Sequence, residues 1–249
     1  MPVIVARVPF ESSSRAGVPQ DVKAVAWRLL SSIGGGAIVG AIVGGVGGRL
    51  AMFMLRLTSN EAVLGVTTDD GFEIGQFTTA TAFLLTVTAG LGGATGAAYF
   101  ALRDALPRRG RPLLWAIVVG LVAGADLLKP RSLDFTVLDP RSLAVASFIL
   151  LPAAAALLIA LVIERLLVRE PWSSRPLTIL LALGALPLIP VVPAVLVLFG
   201  VALFLARRPR VRAATFTVAR VAVPLLLFAL SARSGVHLWR DANEILYRS

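Results

Sequence analysis

Between residues 34 and 49 the chain reads Gly-Gly-Gly-Ala-Ile-Val-Gly-Ala-Ile-Val-Gly-Gly-Val-Gly-Gly-Arg, and few folds can use such a stretch. At helical spacing Gly36, Gly40, Gly44 and Gly48 recur every four residues and draw one nearly flat stripe. In water each interior glycine costs a helix about 1 kcal/mol relative to alanine. In a bilayer the backbone has no water to bond to, so the helix persists. The missing side chains then let a neighbouring helix come close. The stretch predicts a packing seam in a multi-pass membrane protein.

The same medium accounts for the composition. Hydrophobic residues make up 57% of the chain and charged residues 15%, against about 25% charged in soluble domains. The formal charge of +10 raises the question of nucleic acid, but the basic residues sit in short clusters between apolar runs. That is the pattern of membrane loops, so no nucleic-acid partner is expected. Cysteine is absent, which excludes disulfides, thiolate metal sites and a cysteine nucleophile. Of the 24 basic residues only Lys23 and Lys129 are lysine. An Arg-, Ala- and Gly-heavy vocabulary of this kind points to a GC-rich bacterial genome, and hence to a bacterial inner (plasma) membrane.

The expected fold class is all-α, a polytopic integral membrane helix bundle. Residues 1–22 are interrupted early by Arg7, Pro9 and Glu11 and lack the cleavable pattern of a signal peptide; they are expected to form a flexible cytoplasmic arm. A short interfacial helix over 21–32 would carry Trp27 and Arg28 at headgroup level. A single transmembrane domain, 23–232, then holds spans near 33–55, 74–102, 112–128, 143–163, 176–188, 191–206 and 213–232. Residues 233–249 are expected to be an amphipathic tail on the membrane surface. The spans make seven passes, or six if the charge-free run 176–206 is one tilted helix. Pro187, Pro190 and Pro193 interrupt that run and favour a hairpin. Gly92 and Gly96 in the second span, and Gly120 and Gly124 in the third, repeat the four-residue spacing. The first three helices are therefore expected to pack closely through glycine, with self-association as a further use of the same faces.

Orientation follows from counting basic residues. The arm and the loops around 103–111, 164–175 and 207–212 together hold 15 Lys and Arg, the other side 7, with Arg49 and Arg220 inside spans. The richer side is expected to be cytoplasmic, placing the N-terminus inside and the acidic loop 57–73 outside.

Chemistry is sparse. The glycine stripe has neither the strand-to-helix context of a dinucleotide fingerprint nor a following Lys-Ser/Thr. There is no His-Glu-x-x-His or Gly-x-Ser-x-Gly, and the one histidine, His237, sits in the tail. No cofactor, metal or catalytic set is expected. Ionisable residues within spans are costly and mark candidate sites. Arg49 and Arg56 share a face seven residues apart, and Asp126 would lie at similar depth. With the outer carboxylates Asp69, Asp70, Asp134 and Asp139 they form the candidate polar or solute site. A plainer arrangement pairs Arg49 with Asp126, or lets Arg49 reach outward along its apolar stem. Two functional expectations remain: a structural or accessory membrane component, or a small-solute or ion transporter or channel with a polar site near the outer leaflet. The lipid bilayer is the expected partner in both.

Overall fold

The computed structural model describes residues 17–59, 79–132, 135, 139–168 and 209–247, and everything regular among them is helical. Helix α1, Gly17–Val39, continues through a π-helical segment, Gly40–Val46, into α2, Gly47–Thr58. Then follow α3, Thr79–Leu102, α4, Arg111–Leu127, α5, Arg141–Val168, and α6, Pro209–Leu246. Among the described residues, four segments are long and apolar enough to cross a membrane: Ala24–Thr58, Thr81–Leu102, Arg141–Val168 and Val221–Leu246. Helix α4, at 17 residues, stands at the lower limit of the lengths that span a hydrocarbon core. The expected spans 176–188 and 191–206, and the hairpin they would make, lie outside the described residues.

The first helix and α3 run antiparallel with their backbones in contact. A Cβ placed on Gly36 would overlap the carbonyl of Gly92, and one on Gly96 would overlap the carbonyl of Ser32. A Cβ on Gly40 would lie 2.7 Å from Gly92 Cα, so no side chain can be added without moving a helix. Beyond Gly40 the i→i+5 bonding widens the turn. Gly44 and Gly45 then both meet α3, through Thr88 and Leu85. The wider turn also carries Gly48 off the seam: nothing lies within 4 Å of its missing Cβ. The even four-residue stripe is thus a three-glycine stripe with Gly45 added and Gly48 removed.

Helix α4 does not join that seam. Its glycines face later helices: Gly120 meets Ala153 of α5, and Gly124 meets Ile149 of α5 and Leu238 of α6. The expected sub-bundle of the first three helices is replaced by two closely packed pairs, the first helix with α3 and α4 with α5, while α6 lies mainly against α4. Helix α5 also touches the first helix and α3, and so joins the two pairs. Its Ala144, Ala156 and Ala160, fully buried or nearly so, keep that middle position narrow. Four-residue spacing marks a close face but not the partner that will occupy it.

The chain's last helix also differs from expectation. Helix α6 runs unbroken through the boundary drawn at residue 233. Pro224 lies beside Arg108 and Arg111, where α4 begins, and Ile245 packs with Leu55 and Leu128 at the far end. The part packed on the bundle therefore reaches Ile245, beyond the expected end at 232. The cause is a polar stripe: Arg233, His237, Arg240 and Glu244 are exposed on one face, while Leu238, Ala242 and Ile245 face inward. Such a helix has a low average hydropathy although one face of it is apolar. Similarly, the expected interfacial segment 21–32 is continuous with the rest of α1.

Two apolar clusters occupy the two ends. One joins Leu55, Leu128, Phe135, Val145, Leu238 and Ile245, with the Phe135 and Phe148 rings 5.1 Å apart. The other joins Tyr99, Leu106, Trp115, Ile159, Ala160 and Ile163. Helix α5 ends, and the bundle-packed part of α6 begins, at this second end.

Candidate functional site

At the first end, Arg49 Nη2 donates to Thr81 Oγ1 of α3 at 2.8 Å, tying the top of the seam. Asp126 is exposed in the last turn of α4. Arg56 stands at the C-terminal turn of α2, and the residues after it reach Asp139. The Thr58 hydroxyl donates to the Asp139 carbonyl at 2.7 Å, and the Asp139 amide donates at 2.8 Å to Ser59 Oγ, whose own proton goes to the Leu55 carbonyl at 2.7 Å. These bonds latch the end of α2 to the segment leading into α5, through backbone groups rather than the carboxylate. Asp69, Asp70 and Asp134 lie outside the described residues. Among the expected residues, the structure brings Arg56 and Asp139 to the same end, and Arg49 about two turns deeper.

The second end holds a polar cluster that the sequence reading passed over. Tyr99, fully buried near the end of α3, donates its hydroxyl proton to Glu164 Oε1 of α5 at 2.8 Å. Arg111, the first residue of α4, has Nη1 3.8 Å from the same oxygen, and its Nε donates to the Leu106 carbonyl at 3.3 Å. The Tyr99 bond is the tight contact and the ion pair the loose one, by distance alone. Trp115, one turn along α4, packs its ring 5.8 Å from that of Tyr99 at a tilt of 53°. One carboxylate thus holds three helices together. A phenol and an indole cover one side of it, while the Glu164 side chain stays 33% exposed.

Outside this cluster lies a cleft of about 640 Å³ lined by Asp104, Leu106, Pro107, Arg108, Arg111 and Pro224. It opens where α4 begins. Gly110 precedes that helix with φ of 82°, a backbone turn glycine adopts without strain. No side chain caps the helix start, and Pro112 removes one of its free amides. Arg103 Nε is 3.6 Å from Asp104 Oδ1. Arg108 and Arg109 are exposed and pair with no carboxylate among the described residues. The antiparallel seam sets Arg28 at the same level, one turn before Ser32, and Arg165 follows Glu164. Among the residues whose side chains are described, Arg28, Arg103, Arg108, Arg109, Arg111 and Arg165 lie at this end with Asp104 and Glu164.

A signal for the cluster was present but weak. Tyr99 is the one aromatic residue with a hydroxyl before Tyr247, and it ends a helix of small residues. Glu164 ends another, and on the expected topology both fall on the same side. No group of three or more metal-ligating side chains is found among the described residues. No protein-family model matches the chain, and neither a curated protein nor a solved structure is detectably similar to it.

Proposed function

We propose that this chain is a structural or accessory component of a bacterial inner membrane, with its N-terminus in the cytoplasm and seven passes. The observation that carries this reading is the backbone contact of Gly36 and Gly40 with Gly92, and of Gly96 with Ser32. Lipid offers no hydrophobic drive between helices, so such a glycine zipper supplies association through close van der Waals contact. A chain that spends its most distinctive residues on packing fits a scaffold better than a catalyst. The orientation is supported by the basic end, where the loop 103–111 and the end of α5 meet. A cysteine at Arg109 should react with an impermeant label only from the cytoplasmic face, and one at Lys129 only from the other. Reversed labelling would invert the topology. The accessory role is tested by cross-linking in the native membrane: a reproducible stoichiometric complex is expected, and a chain that stays alone contradicts it.

Arg49 inside the first helix favours a second reading, a solute or ion transporter, since a guanidinium at that depth is costly. Under it, Arg49→Ala abolishes flux in proteoliposomes while the protein stays folded. Unchanged flux across a broad solute panel leaves the structural reading in place.

A further inference from the structure

The cleft at the start of α4 has a shape and a charge that helix packing alone does not require. Two arginines line it against one carboxylate, and that carboxylate, Asp104, is already beside Arg103 at 3.6 Å. Arg111 stands at the cleft wall, its Nε bonded to the Leu106 carbonyl at 3.3 Å and its Nη1 3.8 Å from Glu164. Arg108 is exposed and without a carboxylate partner among the described residues. The uncapped start of α4 adds its partial positive charge in the same place.

What lies below the cleft decides the kind of anion. Leu113 and Ile117 on α4, and Leu225 and Phe228 on α6, are 50–74% exposed and continue from it along the bundle. Apolar flanks under a cationic cleft suit an amphiphile, since acyl chains can lie on the flanks while the headgroup sits above. A free anion would leave those flanks unused. We propose that this cleft seats the phosphate of an anionic lipid, with Arg108 and Arg111 as its ligands. Glu164 stands behind Arg111, with the Tyr99 hydroxyl bonded to it. The site rests on the membrane reading above and adds a specific lipid to it.

The test uses the full chain in vesicles of phosphatidylcholine alone and of an equimolar mixture with phosphatidylglycerol. After extraction in mild detergent, native mass spectrometry identifies the lipid that stays bound. Phosphatidylglycerol should be retained over phosphatidylcholine by about fivefold for each arginine in contact. Arg108→Gln should lower the preference by about that factor, while Arg131→Gln at the opposite end leaves it unchanged. Inorganic phosphate should not displace the lipid. Equal retention of both lipids, an unaltered preference in Arg108→Gln, or displacement by phosphate overturns the proposal. Flotation of the vesicles reports insertion separately. Protein that does not float overturns the membrane reading and the site with it; protein that floats but holds both lipids alike overturns the site alone.

Discussion

The first helix and α6 cross the same bundle on opposite terms. Half of the residues in the apolar stretch of the first helix are buried, against 11% in that of α6. The first helix meets α3 through backbone atoms, at Gly36, Gly40 and Gly92. Helix α6 leans on α4 through the ends of side chains, with Leu238 Cδ1 against Gly124. The difference shows that glycine serves two purposes here. In the seam it is a requirement of geometry, because the atom it faces is backbone and cannot rotate away. Beside α6 it is a convenience, because a leucine can turn to another rotamer.

The sharpest way to break this contrast is Gly92→Leu. Its side chain would drive into Gly36 and Gly40, so a loss of more than about 3 kcal/mol is expected, at the upper end of overpacking costs. In practice, the purified variant should run as aggregate on size exclusion; a monodisperse variant with the wild-type melting point would mean that the seam is not close. Gly124→Leu should be milder, about 1–2 kcal/mol by unfolding in mixed micelles, because Leu238 and Ile149 can shift. A cost equal to that of Gly92→Leu would erase the distinction between the two interfaces. Tyr99→Phe removes one hydrogen bond to a charged acceptor and keeps the ring against Trp115. It should cost about 1.5 kcal/mol, with no change if Glu164 finds water instead. Gly48→Leu should cost less than about 0.5 kcal/mol, since its Cβ enters open space. If Gly48→Leu is as damaging as Gly92→Leu, the π-helical slip that separates them is wrong.

Part of this was legible in the residues. The seam could be read because two helices carried the same four-residue repeat, and a flat apolar stripe has one obvious use. Gly48 was misread because the repeat assumes uniform helical turns, and nothing local announces a π segment. Which helix would cover Gly120 and Gly124 was invisible, since spacing describes one surface and not its mate. Tyr99, Arg111 and Glu164 were missed for a related reason. They are 12 and 53 residues apart in sequence, and each sits at a helix end where a charge reads as a loop residue. Their meeting depends on three helices ending at one level. The position of α6 was hidden by its charged stripe, which lowers the hydropathy of the segment that actually packs.

All of these contrasts presuppose that lipid is the medium around the helices, since the exposed faces of Leu113, Leu225 and Phe228 have no other cover among the described residues. The most direct measurement is the state of the purified chain as detergent is withdrawn. The account predicts that it precipitates without detergent and stays monodisperse once transferred to lipid nanodiscs. A folded, monodisperse chain in plain buffer would contradict it.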